Sequence, residues 1–583
     1  MNSSLEYKRH TLAHLLAAAV VEQYPHAKLT LGPAIDTGFY YDIDFSAGEA
    51  PGDSDLKDLQ KRMKKLMNTW TEFSHQEVTP DIAREKFAGN EFKTELVNEI
   101  EARGEAITLY TCGNFTDLCR GGHCDNPKAE IDTDAFKLDK IAGAYWRGDE
   151  NNKMLTRIYG IAFDSKEELE AYEKQLEEAK ARDHRKLGKE LDLFTFSELV
   201  GSGLPLFTPR GTLMRDLIVE KIMHIQSKYG YQKVTIPHIT KSDLYKTSGH
   251  WDKFKDDLFH VKGQSDVEFV MKPMNCPHHT QIYDSKQRSY KELPIRYAET
   301  TMVYRDEQAG ELIGLGRVRS ITQDDGHVFC TVDQIDQEVE NIVKVIQEFY
   351  TSLGMYEEGK FWVSLSVSDP KEPEKYLGDP ENWKKAEAML EDVAKRLNLP
   401  YKRVEGEAAF YGPKLDFMFK DAIGRERQLA TAQLDFVMPA RFNLEYTDNE
   451  GSKQTPVMIH RAIAGSLERF MAIMIEHFAG NFPLWLSPVQ LAVIPVADVH
   501  VGYAAEVTTL LRSVGFRVDI DDSNESMGKK IRNAKKERLP YFLVIGDKEV
   551  EGKTVTLESR DTGESVTITV AELMLKLSAE AGV

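Results

Sequence analysis

The sequence predicts an α+β protein of several domains, built around a large antiparallel sheet flanked by helices. The chain has 583 residues, which is enough for three or four domains of ordinary size. Strand-like runs such as FVMKPMN, IRYAETTMVYR and RSITQDDGHVF follow one another in the middle of the chain with few helices between them. From residue 488 onward, short apolar strands alternate with helical segments, which predicts a smaller α/β domain with a mostly parallel sheet.

We expect four segments along the chain. Residues 1–163 mix helical and strand patterns and form an α+β domain, whereas 191–487 hold the large sheet and 488–583 the α/β domain. Between the first two, residues 164–190 are highly charged, and acidic and basic side chains recur four residues apart, as in Glu170 and Lys174. This pattern is typical of a solvated linker helix.

Composition limits the possible functions. The net charge of −20 argues against sequence-independent coating of DNA or RNA, although a local basic surface remains compatible with it. The odd count of five cysteines shows no zinc-finger spacing and fits a reducing cytoplasm. The apolar stretch at residues 12–21 is far shorter than the ~20 residues that span a bilayer, so no membrane partner is expected.

Three arginines suggest a site for a triphosphate. Arg305 in YRDE is followed by the glycine-bearing loop GELIGLG and then by Arg317 in RVRS. Arg469 in GSLERF lies in a helix that could reach the same place. The planar guanidinium fork binds phosphate oxygens in pairs, although two surface arginines on a hairpin would give the same local pattern.

These motifs resemble those of the class II aminoacyl-tRNA synthetases. YRDE with its loop resembles motif 2, GSLERF resembles motif 3, and YGYQKVTIPHI, which contains Pro237, resembles motif 1 at a dimer interface. KPMNCPHH, TQDDGHVFC and PVMIHRAIAGSLERF together resemble the threonyl-tRNA synthetase family over nearly the whole chain. The resemblance implies a cytoplasmic homodimer that joins L-threonine to tRNA(Thr) with ATP and Mg²⁺, without a DNA partner.

The resemblance also assigns residues to the synthetic site. The implied ATP-binding residues are Arg305, Glu307, Arg317, Gln428 and Arg469. Among them, Arg305 is expected at the α-phosphate, Glu307 at the adenine amino group, and Arg317 with Arg469 at the γ-phosphate. The implied amino-acid pocket contains Gln323, Asp325, Tyr411 and Gln433, and Gln323 joins the three arginines as a catalytic residue.

One zinc ion per subunit is implied at Cys276, His327 and His460. Their wide spacing by itself would suit three satisfied core residues. Three nitrogen and sulfur ligands do fit a tetrahedral zinc with one open position, which the threonine amino group and hydroxyl could fill. The neighbouring His278, His279 and Cys330 are expected to support or pack around this set.

A site that recognises the hydroxyl of threonine cannot reject serine well. Valine lacks the hydroxyl and is excluded by ~10⁴–10⁵, but serine lacks only a methyl group, which is worth about 1–3 kcal/mol. This chemistry therefore predicts a second, hydrolytic site for seryl-tRNA.

The N-terminal segment contains a suitable set of side chains. RHTLAHLL places His10 and His14 four residues apart on one helix face, and DLCRGGH carries Asp117, Cys119 and His123. Together with Lys93 in EFKTEL they resemble the editing domain of bacterial-type members of the family, which implies attack of water on the mischarged ester. Three alternatives stay open: a zinc ion bound by the histidines and Cys119, an acyl-enzyme on Cys119, or histidines that merely pack.

The C-terminal segment resembles the anticodon-binding domain of several class II enzymes. GDKEVEGK suggests Glu549 as an anticodon contact, while Glu558 in the following strand departs from the usual arginine. The basic run MGKKIRNAKKERLP could face phosphate or simply be solvated. Because the chain begins almost directly at the editing segment, we also expect it to lack the small ubiquitin-like domain with which bacterial relatives usually begin.

Two rival functions fit part of this pattern. A catalytically silent paralogue that binds tRNA as a regulator would not need Arg305, Glu307, Arg317 and Arg469 together. A prolyl-tRNA synthetase would share the C-terminal domain but not the Cys276, His327 and His460 set.

Overall fold

The computed structural model describes residues 3–264 and 266–581. Two compact units are present, Met1–Glu178 and Ala179–Val583. Among the described residues, no helix combines the length and the apolar character needed to cross a bilayer. All five cysteines lie in the described part of the chain and are free thiols.

The first unit is an α+β structure with two antiparallel sheets. Its helices are α1 (Ser3–Gln23), α2 (Leu56–Met67), α3 (Pro80–Lys86), α4 (Glu91–Ala102) and α5 (Pro127–Glu130). Its strands are β1 (Lys28–Leu29), β2 (Ala34–Ile35), β3 (Gly38–Asp44), β4 (Ser74–Val78), β5 (Ile107–Cys112), β6 (Phe115–Leu118), β7 (Phe136–Tyr145) and β8 (Met154–Ala162). One sheet has the order β1-β3-β8-β7 with β2 beside β3, and the other has the order β4-β5-β6.

Helix α1 forms the centre of this unit. Leu and Ala, which dominate residues 12–19, are strong helix formers, and nearly all of these side chains are buried. A helix that is apolar on all sides belongs inside a core. The stretch that is too short for a membrane is therefore a core helix, packed on α2 and β3.

The second unit opens with the large sheet and its helices. Its helices before residue 480 are α7 (His184–Glu190), α8 (Pro209–Ser227), α9 (Ser242–Ser248), α10 (His250–Phe254), α11 (Cys276–Asp284), α12 (Ile335–Thr351), α13 (Pro380–Arg396), α14 (Val437–Arg441) and α15 (Leu467–His477). Its strands there are β9 (Phe194–Thr195), β10 (Leu206–Phe207), β11 (Gln232–Lys233), β12 (Ile239–Lys241), β13 (His260–Val261), β14 (Phe269–Met271), β15 (Ile295–Tyr304), β16 (Ser320–Cys330), β17 (Phe361–Val367), β18 (Tyr401–Glu405), β19 (Lys414–Lys420), β20 (Glu426–Asp435), β21 (Tyr446–Thr447), β22 (Lys453–Gln454) and β23 (Val457–Ala462).

The main sheet has the order β11-β15-β16-β23-β20-β19-β17-β18. Its interior pairs are antiparallel, and only the two outermost strands, β11 and β18, pair in parallel with their neighbours. Helices α8, α12 and α15 contribute a continuous row of buried apolar side chains to the core with the sheet. The predicted antiparallel core flanked by helices is confirmed.

One predicted strand is shorter than expected. FVMKPMN is extended only over Phe269–Met271, and the chain then turns into α11, which begins at Cys276 with Pro277 in its first turn. Proline suits the first turn of a helix because its missing N–H would have no partner there. Cys276 therefore lies at a helix start and not in a strand.

The charged linker forms two helices, α6 (Lys166–Ala181) and α7, and only the first is solvated. In α6 Leu169 is the single buried residue, whereas α7 buries His184, Leu187 and Gly188. The prediction of one solvated helix is therefore wrong for its second half. Charge periodicity does not reveal which turn packs against a core.

The C-terminal part of the second unit has a mixed sheet. Its helices are α16 (Val501–Ser513), α17 (Met527–Lys536), α18 (Asp547–Gly552) and α19 (Val570–Ala581), and its strands are β24 (Leu491–Pro495), β25 (Val518–Ile520), β26 (Tyr541–Ile545), β27 (Thr554–Ser559) and β28 (Ser565–Thr569). Strand β24 pairs in parallel with β25 and β26, but β27 and β28 add an antiparallel hairpin. The prediction of a mostly parallel sheet thus holds only for one half of it.

The basic run lies on α17 and is partly neutralised. Lys530 is buried and its Nζ donates to the Asp521 carbonyl at 2.9 Å. Lys529 pairs with Glu525 and Lys535 with Glu558. These contacts favour a structural role for part of the run.

Candidate functional site

Strand register brings together two histidines that are far apart in sequence. In the sheet, His327 on β16 lies directly opposite His460 on β23, and Gln433 on β20 lies opposite His460 from the other side. Cys276 reaches the same place from the first turn of α11. One ligand atom of each of Cys276, His327 and His460 lies within 4.8 Å of the others, and all three residues are buried. This donor set, with its closeness and burial, fits a single zinc ion.

Buried polar groups hold the two imidazoles in place. Asp435 Oδ2 lies 2.9 Å from His460 Nε2. His279 Nδ1 lies 2.7 Å from His327 Nδ1, and Glu299 Oε2 lies 3.6 Å from His279 Nε2. Groups in such positions fix the tautomer and orientation of metal-binding histidines. The sequence analysis expected His279 to support or pack around the set, and the structure places it against His327.

The sequence analysis missed His250. This residue is buried at the start of α10, and its Nε2 lies 3.9 Å from Cys276 Sγ. No spacing in the sequence links position 250 to any of the three candidate ligands, so only the fold could place it there.

The predicted ATP residues line one cavity of about 620 Å³. From the predicted sets, its lining includes Arg305, Glu307, Arg317, Gln323, Gln428, Gln433 and Arg469. Burial lowers the pKa of the Arg305 and Arg469 guanidinium groups, yet arginine stays cationic at neutral pH. The cavity therefore brings the two desolvated guanidinium groups of Arg305 and Arg469 together with Arg317, as a polyphosphate site requires.

Two of the predicted ATP contacts are paired with each other. Arg317 Nε donates to Glu307 Oε2 at 2.7 Å, on either side of the loop that joins β15 and β16. The predicted roles put Glu307 at the adenine and Arg317 at the γ-phosphate. Both residues could take these roles only after the ion pair opens.

The remaining amino-acid-pocket residues lie next to the histidines. Tyr411 is buried, its hydroxyl donates to Gln433 Oε1 at 2.7 Å, and its ring lies 5.1 Å from that of His460. Asp325 Oδ1 lies 3.6 Å from His327 Nε2. Gln433, which lies opposite His460 in the sheet, also lines the cavity and so connects the Cys276, His327 and His460 set to the space that the arginines line.

The first unit contains a second cavity, of about 540 Å³. It is lined by His10, His14, Lys93, Asp117 and Cys119. His123 completes the set, because its Nε2 lies 3.3 Å from Cys119 Sγ and its ring stacks on His10 at 4.4 Å. Every residue that was predicted for the editing site is thus present in one place.

A buried ion pair supports one wall of this cavity. Lys93 Nζ lies 2.6 Å from Asp117 Oδ1, and both side chains are 2 % exposed. The Tyr41 hydroxyl donates to the other carboxylate oxygen. The sequence analysis missed Tyr41, although the alternation of GFYYDID could have indicated that Phe39, Tyr41 and Ile43 share an inward face of β3.

Burial determines which histidine and cysteine side chains at the second cavity carry a proton. It lowers the pKa of His123 to about 2 and also lowers the pKa values of His10 and His14. It raises the pKa of the Cys119 thiol to about 11. A protonated thiol is a poor nucleophile, which disfavours an acyl-enzyme on Cys119. Neutral imidazoles can accept a proton from water, and they could equally bind a metal, since the four donor atoms lie within 4.8 Å of one another.

Glu549 already has partners within its own domain. Its carboxylate accepts from Gly546 N–H at 2.9 Å and from the Thr556 hydroxyl at 2.7 Å. The first contact caps the start of α18, and the second ties Glu549 to β27. The anticodon contact stays a prediction.

Three families match successive parts of the chain. Residues 107–159 match the threonyl and alanyl tRNA synthetase second additional domain, and residues 259–478 match the tRNA synthetase class II core domain (G, H, P, S and T). Residues 490–580 match an anticodon binding domain. The editing-site cavity lies in the unit that contains the 107–159 match. The arginine cavity lies within the class II core match, residues 259–478.

Relatives cover nearly the whole chain. A threonine–tRNA ligase of Gloeobacter violaceus is 49% identical over 563 residues, which are 95% of this chain and 89% of that protein. One of Synechococcus elongatus is 45% identical over 587 residues, covering 99% of this chain and 96% of its own. The crystal structure of the RNA binding domain of threonyl-tRNA synthetase from Cryptosporidium parvum superimposes with a TM-score of 0.65 at 39% identity, covering 68% of this chain and 98% of that one. The chain belongs to the threonine–tRNA ligases, the threonyl-tRNA synthetase family of class II.

Proposed function

We propose that this threonine–tRNA ligase activates L-threonine with ATP in the arginine-lined cavity and transfers it to tRNA(Thr), and that its N-terminal cavity hydrolyses mischarged seryl-tRNA(Thr). One observation carries the proposal. The buried Cys276, His327 and His460 border, through Gln433, the cavity where Arg305, Arg317 and Arg469 converge.

The cationic residues suit an in-line attack of the threonine carboxylate on the α-phosphate of ATP. The carboxylate is already ionised, so no protein nucleophile or strong base is required. Arg305 would hold the α-phosphate, while Arg469 and Arg317 would hold the γ-phosphate of the departing pyrophosphate. Catalysis then consists of positioning the substrates and of stabilising the negative charge with the arginines.

Zinc and Mg²⁺ are part of the proposal. Cys276, His327 and His460 would hold the zinc ion, with His279 and Asp435 orienting the two imidazoles. When bound, zinc would supply a Lewis acid that can take up the amino group and hydroxyl of the amino acid. Tyr411, Gln433 and Asp325 would enclose the side chain, and Mg²⁺ would accompany ATP.

In the editing cavity, the neutral imidazole of His10, whose pKa is lowered less than that of His14 or His123, would accept the proton of a water that attacks the ester carbonyl. The 3′ oxygen of the tRNA then leaves with the returned proton. The Lys93–Asp117 pair holds the wall against which the seryl group would rest. The threonyl group of the correct product carries one more methyl group than the seryl group. That methyl group would collide with the wall, so the correct product would be excluded.

The organisation of the chain completes the proposal. We assign editing to 1–163, a linker to 164–190, synthesis to 191–487 and anticodon binding to 488–583, with Glu549 as a candidate contact. We also propose a cytoplasmic homodimer. Free thiols at all five cysteines support the reducing compartment.

Replacing Cys276 tests the zinc assignment and the synthetic site together. We expect Cys276→Ser to lose the zinc ion and threonine-dependent pyrophosphate exchange in parallel, because a hydroxyl is a much poorer zinc ligand than a thiolate. Zinc per chain is measured by elemental analysis. Cys330→Ser is the matched control, since Cys330 is also buried, at the end of the strand that carries His327, but lies outside the set.

Full zinc content in Cys276→Ser would refute the ligand assignment. An unaltered chain that shows no threonine-dependent exchange would refute the synthetic function and favour a silent tRNA-binding paralogue. Two zinc ions per unaltered chain, one of them lost on changing His10 and His14, would support a metal in the editing cavity.

A further inference from the structure

His184 is a buried histidine with both ring nitrogens engaged. It begins α7 and is 5 % exposed. Its Nδ1 lies 2.7 Å from Glu476 Oε1, and its Nε2 lies 3.1 Å from the backbone nitrogen of Leu315. Because a backbone N–H can only donate, Nε2 must be the acceptor and the proton must reside on Nδ1, which donates to Glu476. The imidazole therefore bridges two elements in a single tautomer.

One of these elements is the loop that carries Arg317. The buried Leu315 immediately precedes Gly316 and Arg317, and both of these line the ATP cavity. Gly314, on the other side of Leu315, has φ +50°, and a Cβ there would lie 2.4 Å from His184 Nε2. A side chain at position 314 would thus collide with the imidazole, so the loop is shaped to the histidine.

The other element is the helix that carries Arg469. Glu476 lies in the last turn of α15, and Arg469 lies in its first turns and lines the cavity. Glu476 is further fixed by Arg425, whose Nη2 lies 2.5 Å from Oε2. Since a helix transmits position along its axis, an anchor at its end fixes the arginine at its start.

A metal ion does not explain this cluster. Asp183, His184 and Glu476 do lie close enough together to share one. However, both Asp183 oxygens face the Arg185 guanidinium at 3.0 Å or less, and both His184 nitrogens have partners. The donor atoms are used within the protein.

We infer that His184 is a positioning residue that holds the Arg317 loop and the Arg469 helix at the correct separation for the γ-phosphate of ATP. The inference rests on the proposed roles of these two arginines. His184 touches neither arginine, so it acts through Leu315 on one side and Glu476 on the other.

Two substitutions separate its two contacts. His184→Asn keeps an amide nitrogen near Nδ1 for Glu476 but cannot reach Leu315, whereas His184→Gln places an oxygen near Nε2 that can still accept from the Leu315 N–H. Threonine-dependent pyrophosphate exchange is measured at varied ATP. Loss of one hydrogen bond to a buried N–H should raise the KM for ATP roughly tenfold in His184→Asn. We expect His184→Gln to stay within about threefold of the unaltered chain, because Glu476 keeps its second anchor on Arg425. The KM for threonine should change less than about twofold in both variants.

The KM values for ATP of the two variants and the unaltered chain test the proposal. A KM for ATP in His184→Asn equal to that of the unaltered chain would overturn it. Equal rises in both variants, together with equal losses of melting temperature, would also overturn it, because they would indicate a merely structural histidine. If the unaltered chain shows no exchange, the proposed function itself fails. If it is active and the two variants match it, only the positioning role fails.

Discussion

The imidazoles of His10, His14 and His123 lie in a cavity where burial makes their charged form unfavourable. Desolvation lowers the pKa of each below its ordinary value, and that of His123 to about 2. The three rings stack or meet edge to face within 5.0 Å, so a proton on one would also repel a proton on the next. Neutral rings are the form in which histidine accepts a proton.

This protonation state predicts an unusual pH profile for editing. A lowered pKa means that the base form persists as pH falls through the range where a free histidine would become charged. We therefore expect hydrolysis of seryl-tRNA, corrected for the uncatalysed rate, to lose activity only with a midpoint below the ordinary histidine pKa of about 6.5. Single-turnover deacylation at a series of pH values measures this.

A fall in the corrected rate with an apparent pKa near that of free histidine, about 6.5, would contradict the prediction. It would mean that the catalytic imidazole is solvated and has its ordinary pKa. Aminoacylation at each pH provides the control for general loss of folding.

At the scale of the element, helix α1 aligns His10 and His14 one turn apart. Residues four apart share a helix face, and the surrounding Leu and Ala side chains anchor that face at the cavity. A surface helix would leave both rings in water. The buried helix gives them their low-pKa environment.

Removing both rings should uncouple editing from synthesis. We expect His10→Ala combined with His14→Ala to lower seryl-tRNA deacylation by roughly 10²–10⁴-fold, the usual contribution of a general base. Threonine activation should be unchanged, and Ser-tRNA(Thr) should accumulate in aminoacylation with serine. His26→Ala, also in the first unit but outside the cavity lining, is the matched control.

An unchanged rate of Ser-tRNA accumulation in the double variant would show that the first unit does not proofread. A parallel loss of threonine activation would instead point to a defect in the whole chain.

At the scale of the molecule, the main sheet ends in the short strand β11 (Gln232–Lys233). This strand lies in the segment that resembles motif 1. Ile239 ends that segment as the first residue of β12, in a separate three-stranded sheet, and is 48 % exposed. An exposed apolar side chain in this segment suits a contact with a second copy.

The proposed homodimer predicts the mass in solution. Sedimentation equilibrium should give twice the chain mass of 66.3 kDa, at concentrations where activity is measured. Ile239→Glu should shift the distribution toward the monomer, because a buried charge would oppose association. Val332→Glu is a matched control, since Val332 has a similar exposure of 49 % and lies outside motif 1.

A monomeric mass for the unaltered chain would contradict the dimer. An unchanged mass for Ile239→Glu would place the interface elsewhere.

Local patterns in the sequence carried much of the fold and the family. The alternation of IRYAETTMVYR and RSITQDDGHVF predicted β15 and β16, and the motifs around Arg305, Arg317 and Arg469 indicated the class II core, which the comparisons confirm. These features depend on side-chain periodicity and local turns, which neighbouring residues determine. The four-residue spacing of His10 and His14 was informative for the same reason.

Tertiary structure decided what depends on distant residues. Strand register places His327 opposite His460, which their spacing in the sequence does not predict. Packing buries His184 in a linker whose charge pattern predicts a solvated helix. Tyr41, His250 and His279 entered the sites through contacts with residues far along the chain. The sequence by itself determined the elements and the chemical groups. Burial and register, which arise only when the elements meet, decided which groups share a cavity and which protons they hold.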